Sequence, residues 1–194
     1  MNLMLLPEGR LPDGGPGLQT RPTPEQFDLQ PVLTGKLVTL RPLQQEDWQD
    51  LFAVASDPLI WEQHPASDRY QEPVFRAFFR EALECGGAFV VLDAADGRVI
   101  GSSRFNRYDQ EQSEIEIGWT FLARSHWGGA CNAEMKTLML NHAFKFVTTV
   151  VFYVGQTNVR SQKALEKIGA IRVGFRIDST GGESAVYEIK KPSA

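Results

Sequence analysis

The stretch "RSHWGGACNAEMKTLML", residues 124–140, carries the signal that decides the fold. A tryptophan and two glycines run directly into a segment with helical periodicity, and the alternating segment "SEIEIGWTFL" (113–122) precedes them. Alternation of apolar and polar residues predicts a strand, so the local order is strand, short glycine loop, helix. The first amides of a helix lack helical acceptors and carry partial positive charge, which makes the loop a candidate anion site. A tight turn without a ligand is the alternative.

The segments on either side of this stretch predict one α/β (α+β) domain with a mixed sheet. The strand "SEIEIGWTFL" is expected to place Ile115, Ile117, Trp119 and Phe121 on one face. The other predicted elements are a strand at 36–43, helices at 44–56 and 72–87, a hairpin at 88–105, a helix at about 132–147, a strand at 150–155, a helix at 158–170 and the closing strands "IRVGFRI" and "SAVYEIK". The count is about seven strands and about four helices.

The N-terminal segment differs from the rest in composition. Residues 1–33 hold six of the eleven prolines and four glycines, without periodicity. We predict a Pro/Gly-rich arm over 1–33, partly ordered or flexible, and a folded domain over 34–194. A disordered tail and an arm that packs on the domain or on a second subunit are both open, and the second makes a homodimer possible.

Bulk composition excludes several classes of partner. The formal net charge is −4 and no basic run occurs, so we expect no nucleic-acid binding. No apolar stretch reaches the length of a membrane span, so we expect no membrane partner. Cys85 and Cys131 form no CxxC pair and the three histidines are scattered, so we expect no metal site. Cysteines without a disulfide pattern favour a cytoplasmic location.

Other phosphate-binding motifs fit the loop poorly. The chain has no GxxxxGK[ST] motif, and the loop is not GxGxxG after an early strand–helix–strand unit. A P-loop nucleotidase and a dinucleotide-binding fold are therefore disfavoured.

Three segments in order give a more specific signal: "IEIGWTFL", then "WGGACNAEMKTLMLNHAF", then "NVRSQKALEKIGA". Together they resemble the GCN5-related N-acetyltransferase (GNAT) superfamily, and most of all its branch of ribosomal-protein N-terminal acetyltransferases. The resemblance covers about residues 34–190. It implies a mostly antiparallel sheet, splayed between its fourth and fifth strands to admit the pantetheine arm of acetyl-CoA. It also implies acetyl transfer to an amine by direct attack in a ternary complex, without a metal.

The resemblance also implies which residues bind the cofactor. Backbone amides from Trp127 to Asn132 would hold the pyrophosphate, and Arg124 would add a charge. The family has Arg or Gln three residues before the first glycine, where this chain has Ser125. Asn158 and Ser161 match the family's NxxS at the start of the next helix, although both fit a capping role as well. The predicted cofactor-binding residues are Phe121, Leu122, Arg124, Trp127, Gly128, Gly129, Ala130, Cys131, Asn132, Asn158 and Ser161.

The reaction needs a base, a stabilised thioester oxygen and a proton for the leaving thiolate. Glu116, on the polar face of the strand before the loop, is the first candidate base, or else a plain exposed carboxylate. Ser161 is the candidate proton donor, and Tyr153 is a further candidate acid or an ordinary core residue. His64 and Trp61 lie in the loop "IWEQHP", which in the family borders the acceptor cleft, so we predict that both bind substrate. His64 is also the second candidate base.

The acceptor is open between a protein N-terminal α-amine and a small amine. Because the same fold hosts many substrates, the loop identifies only the donor. A different class also fits the sequence, since no base is unambiguous: a catalytically silent CoA-binding regulatory or interaction module.

Overall fold

The computed structural model describes residues 27–177 and 181–192, which form one mixed sheet with helices on both faces. The strands are β1 (Leu33–Thr34), β2 (Val38–Pro42), β3 (Ala88–Asp93), β4 (Val99–Asp109), β5 (Glu114–Leu122), β6 (Thr149–Gly155), β7 (Ile171–Ile177) and β8 (Glu183–Lys190). The helices are α1 (Trp48–Ala55), α2 (Pro58–Trp61), α3 (Glu72–Glu84), α4 (Ala130–Ala143) and α5 (Val159–Lys167). None of the helices in the described ranges is long and apolar enough to cross a membrane.

The sheet order is β1-β2-β3-β4-β5-β6-β8-β7, and every neighbouring pair is antiparallel except β5 with β6. The predicted mixed, mostly antiparallel sheet is confirmed. The described residues contain eight strands where about seven are predicted and five helices where about four are predicted, because the two-residue β1 and the four-residue α2 are too short to give a periodic signal.

The one parallel pair opens partway along its length. Residues of β5 and β6 pair from Glu114 with Thr149 to Glu116 with Val151, and no later residues of the two strands pair. β5 nevertheless continues to Leu122 and β6 to Gly155. The predicted fourth and fifth strands correspond to β5 and β6, because β1 is not among the predicted strands. The predicted splay is therefore present, and it begins directly after Glu116.

The two faces of the sheet bury separate apolar clusters. Successive residues of β3 point to opposite faces, so Phe89 and Val91 pack with α4, whereas Ala88 and Val90 pack with α1 and α3. Residues 27–33, the part of the predicted arm that the structure describes, also pack on the domain. Phe27 is 5 % exposed in the cluster beside α4. The remainder of the arm lies outside the described residues.

A bulge in β5 breaks the predicted alternation. Trp119 has φ 51, and the β4–β5 register shifts there, so that Ser102 pairs with Phe121 but Arg104 with Gly118. An extra residue on one strand inverts the faces that follow. Ile115 and Ile117 face α4 as one set, whereas Trp119 and Phe121 pack against the α1–α3 cluster. The prediction that all four share a face is wrong.

Candidate active site

The glycine loop connects β5 to α4 through a backbone that favours glycine. A single 3-10 turn at Arg124–His126 leads into extended Trp127, and Gly128 then adopts φ 69. Gly129 is the N-cap residue, so α4 begins at Ala130, two residues before the predicted start. No side chain caps this helix end. Its first amides therefore lack both a helical acceptor and a side-chain acceptor, which is the arrangement that binds anions.

Space is available at these amides. A Cβ added to Gly128 or Gly129 would meet no heavy atom within 4 Å. Within the described chain, the amides of Gly128, Gly129 and Ala130 donate no hydrogen bond, whereas the amide of Trp127 donates to Arg124 O at 3.1 Å. The amides at 128–132 thus fit a pyrophosphate, and the amide of Trp127 drops out of the predicted set.

A cavity of about 220 Å³ occupies the gap between β5 and β6 beside the loop. It brings together most of the residues predicted from the sequence: Trp61, His64, Phe121, Leu122, Trp127, Gly128, Asn132, Tyr153, Asn158 and Ser161. Five predicted residues do not line it: Glu116, Arg124, Gly129, Ala130 and Cys131. Gly129, Ala130 and Cys131 still belong to the helix start, where their amides rather than their side chains matter.

The predicted cation of the loop, Arg124, pairs with a carboxylate, and a second cation lies at the cavity. Arg124 Nε is 2.5 Å from Asp57 Oδ2, and this ion pair joins the loop to the start of α2. Arg160, on α5, lines the cavity instead, with its guanidinium 3.9 Å from the centroid of the Trp127 ring. Its Nη2 donates to Ile60 O at 2.8 Å, and burial lowers the pKa of Arg160. The ring and the carbonyl fix the guanidinium at the edge of the cavity.

Asn158 and Ser161 occupy the start of α5. Asn158 is the N-cap residue, 6 % exposed, and its Oδ1 accepts from the amide of Ser161 at 3.1 Å. The expected capping geometry is present. Both residues also line the cavity, and the Ser161 hydroxyl makes no hydrogen bond within the described chain. The cap therefore leaves that hydroxyl available.

Glu116 is a buried carboxylate on the face that packs against α1–α3. It is 4 % exposed, and Gly118 leaves room for it, because a Cβ there would lie 3.2 Å from Glu116 Oε1. Arg107 Nη1 is 3.3 Å from Oε2, which is close enough for an ion pair but lacks hydrogen-bond alignment. Burial raises the pKa of Glu116, and the charges of Arg107, Arg176 and Arg104 oppose the rise. The predicted exposed-carboxylate alternative does not hold.

Tyr153 lies on β6 just past the point where the strands part. It lines the cavity, and two guanidiniums lie over its ring, with centroid distances of 5.8 Å to Arg107 and 4.9 Å to Arg176. Arg107 thus contacts both Tyr153 and the carboxylate of Glu116. The two candidate proton carriers therefore share cationic neighbours, since Arg176 also lies over Tyr153 and its charge acts on Glu116.

Trp61 and His64 form the opposite wall. Trp61 is 2 % exposed and donates from Nε1 to Ala55 O at 2.7 Å, and its ring packs on Phe121. His64 Nδ1 accepts from the amide of Ala66 at 2.9 Å, while Arg69 Nη1 lies 3.2 Å from Nε2. Burial and then the Arg69 charge lower the pKa of His64 to about 4. A histidine that holds protons this weakly is a poor general base at neutral pH.

Sequence reasoning missed the bulge and one lysine. No residue type in the sequence marks the bulge at Trp119, because the bulge is visible only in the pairing register of β4 and β5. Lys136, on α4, lines the cavity and is 4 % exposed. A lysine inside the apolar face of a predicted helix is a readable signal, because lysine is almost never fully buried without a reason.

The structure thus has a helix start without a side-chain cap at the opening of a split sheet, and comparison with known proteins assigns the class of protein. Residues 38–171, well over half of the chain, match the Acetyltransferase (GNAT) domain family. The family and the fold are those of an acyltransferase. The chain belongs to the GNAT acetyltransferase family, whose members use acetyl-CoA. A search of curated proteins found no match.

Solved structures agree on the fold. A protein from T. thermophilus, described as a candidate acetyltransferase, is 28 % identical, with TM-score 0.66 over 82 % of this chain and 88 % of its own. A GCN5-related N-acetyltransferase from Brucella melitensis is 22 % identical, with TM-score 0.72 over 89 % and 84 %. Mycobacterium smegmatis RimJ, solved in complex with CoA-disulfide, is 19 % identical, with TM-score 0.62 over 79 % and 81 %. The last two likenesses bear on the fold alone.

Proposed function

We propose that this acyltransferase moves the acetyl group of acetyl-CoA to a primary amine, by direct attack in a ternary complex. The observation that carries the proposal is the parting of β5 from β6 directly after Glu116, beside a helix start that no side chain caps. A cavity of about 220 Å³ runs along the parted strands from Gly128 to the bulge at Trp119. It suits a donor with an anionic end and an extended arm.

The loop and α5 would bind the donor. Amides at 128–132 offer donors to the pyrophosphate, and the guanidinium of Arg160 adds positive charge at the cavity edge. Free strand edges of β5 and β6 beyond Glu116 and Val151 offer backbone groups to the amides of the pantetheine arm. Acetyl-CoA supplies the activated acetyl group as a thioester.

The bulge would stabilise the charge that develops on the thioester oxygen. A bulge leaves one residue out of the ladder, so a backbone N–H is free to point into the gap. Trp119 is that residue, and it lines the cavity with its neighbours Gly118 and Thr120. A preorganised amide at the reacting carbonyl is typically the largest single contribution to acyl transfer.

Glu116 would accept the proton of the attacking amine, directly or through a water molecule. An α-amine titrates near 8 and a lysine amine near 10.4, so a base with a raised pKa is better matched to either than an ordinary carboxylate. Burial raises the pKa of Glu116, while three arginines keep it ionisable. His64, whose pKa is lowered to about 4, is the weaker candidate.

Ser161 would protonate the departing thiolate, because its hydroxyl faces the cavity and is not used by the cap. Tyr153 is the second candidate, at the point where the strands part. Trp61 and His64 would line the pocket that binds the acceptor. We propose a protein N-terminal α-amine or a small amine as the acceptor, in keeping with the resemblance to the ribosomal-protein branch. A cytoplasmic location and a homodimer stay predictions.

The test combines calorimetry with an acceptor screen. Titration of the full chain with acetyl-CoA and with CoA is expected to show one site for each. Mass spectrometry of a panel of peptides and small amines, incubated with protein and acetyl-CoA, is expected to show an acetylated product. Absence of cofactor binding at near-millimolar concentration would contradict the proposal. Tight CoA binding without any acetylated amine would favour the silent CoA-binding module instead.

A further inference from the structure

Lys136 is a buried amine that the proposed reaction does not use. It is 4 % exposed and is the only lysine among the residues of the described chain that line the cavity. Its Nζ donates to Thr120 Oγ1 at 2.6 Å, with Ser103 Oγ at 3.5 Å and the Phe152 ring centroid at 5.6 Å. Within the described chain, no carboxylate lies within ion-pair distance of it. Its polar neighbours are hydroxyl groups.

This environment favours the uncharged amine. Burial alone lowers the pKa of Lys136 from its ordinary 10.5 to about 7, since a lone charge among hydroxyls and an aromatic ring loses most of its hydration. An unprotonated amine is the nucleophile that an N-acetyltransferase consumes. At neutral pH a substantial share of Lys136 is therefore already in the uncharged state that an external acceptor must reach with the help of a base.

The amine also lies beside the segment that would hold the thioester. Thr120, its hydrogen-bond partner, directly follows the bulge residue Trp119, and both line the cavity. Thr120 Oγ1 is in turn 2.8 Å from Ser103 Oγ, which ties this end of Lys136 to β4. A nucleophile held against the reacting centre gains a large rate advantage over one in solution.

We propose that Lys136 is an internal acetyl acceptor, so that the protein acetylates its own active site. The inference rests on the proposed function, because it uses the same donor and the same bulge. The Nζ lone pair forms a bond to the acetyl carbon, and the C–S bond of the thioester breaks. The proton lost from Nζ goes to the CoA thiolate. The products are N-acetyl-lysine at position 136 and free CoA thiol.

Acetylation at this position would limit later turnover. The modified side chain is larger, permanently uncharged and still inside a cavity of about 220 Å³ that the donor needs. We expect the acetylated protein to bind acetyl-CoA more weakly and to turn over an external amine more slowly.

The experiment incubates the full chain with acetyl-CoA and no acceptor at neutral pH, followed by digestion and mass spectrometry. The peptide that carries Lys136 is expected to gain one acetyl group at least about tenfold faster than exposed Lys163 on α5, as for an unprotonated amine held beside the donor. Lys136→Arg, which keeps a donor for Thr120, must abolish the modification at 136. Lys136→Met is the second variant if the arginine is not accommodated, and circular dichroism checks the folding of both.

Two further outcomes would overturn the inference. Cofactor binding and acetylation of an external amine, with Lys136 unmodified, would disprove it and leave the proposed function standing. Equal acetylation of Lys136 and Lys163 would show unspecific chemistry and also disprove it. Absence of acetyl-CoA binding by calorimetry would overturn the proposed function and this inference with it.

Discussion

The two halves of the site use different chemical groups, backbone in one half and side chains in the other. The donor half, namely the loop 123–129 with α4 and α5, works through backbone: helix-start amides, a glycine at φ 69 and open space beside it. The acceptor half, namely α1–α3 with the face of β5 that carries Glu116, works through side chains. There, Phe78 lies between two guanidiniums, with Arg69 at 4.6 Å and Arg104 at 4.8 Å from its ring centroid.

We expect the backbone groups of the donor half to be shared across the family and the side chains of the acceptor half to be specific to this chain. Amides recognise any pyrophosphate, and many sequences provide them. Arg104 is 3 % exposed, two of its nitrogens have no hydrogen-bond partner in the described chain, and its guanidinium contacts two aromatic rings and the Cys85 side chain. Such an arrangement tolerates few substitutions, and we expect acceptor specificity to reside there.

The largest effect is expected from a side chain on the acceptor half. Glu116→Gln keeps the shape of the buried group but removes the base, so kcat should fall by about 100-fold, within the range for a general base. Affinity for acetyl-CoA should stay unchanged, since Glu116 does not line the cavity. Steady-state kinetics and calorimetry measure the two quantities. Glu114→Gln, two residues earlier on β5, is the matched control and should retain activity. Full turnover in Glu116→Gln would disprove the assignment.

The donor half should respond to backbone change. Gly128→Val forces a β-branched residue into φ 69, so the loop must shift and the amides lose their direction. We expect about 30-fold weaker acetyl-CoA binding, or about 2 kcal/mol. Gly86→Val is a close control, because Gly86 has φ 65 and equally open space between α3 and β3, at the opposite end of β3 from Asp93, which contacts His126 of the loop. Both variants should lose similar stability, and only the first should lose affinity. Equal affinity in both would show that the loop does not hold the donor.

A side chain on the donor half should matter less. Ser161→Ala removes the candidate proton donor, but a thiol titrates near 8.5 and leaves as a thiolate without much help, so kcat should fall by about tenfold. Ser125→Ala is the control, since Ser125 contacts His126 and does not line the cavity. A loss as large as that of Glu116→Gln would contradict the contrast between the halves.

The helix start of the proposed donor half is predictable from the sequence, because its signals are local. A glycine pair after a strand and before a helix specifies helix-start amides wherever the rest of the chain lies. Asn158 is an N-cap residue by type and proves to be one. The splay is confirmed too, although only the resemblance to a family predicted it, since strand pairing is a long-range property.

Local sequence signals do not predict the acceptor half or the bulge. The bulge at Trp119 comes from the register between β4 and β5, and it exchanges the faces of every later residue of β5. Arg124, adjacent to the expected basic position, pairs with Asp57, which is 67 residues away in the chain. Arg160 takes the place beside the loop because Trp127 and Ile60 converge on it. Contacts between distant segments decide each of these outcomes.

The smallest effect on activity is expected from His64, and it distinguishes a structural role for this side chain from a catalytic one. The folded pKa of His64 is about 4, below its ordinary 6.5, so between these values the unfolded chain binds a proton that the folded chain does not. Stability conferred by the neutral ring is therefore fully present above about pH 6.5 and lost as the pH falls toward 4. His64→Gln should flatten this acid loss, which thermal unfolding across that range would show as a smaller fall in Tm.

The pH–rate profile completes the argument about His64. The acid limb of kcat should follow Glu116, whose pKa is raised, because activity falls as the base becomes protonated. His64→Gln should keep that limb in place with kcat within about threefold, since a ring already neutral above pH 5 has no proton to exchange there. Disappearance of the limb in His64→Gln would make His64 the base. In that case Glu116 would be a buried partner of Arg107, and the acceptor half would take its chemistry from the α2–α3 loop rather than from β5.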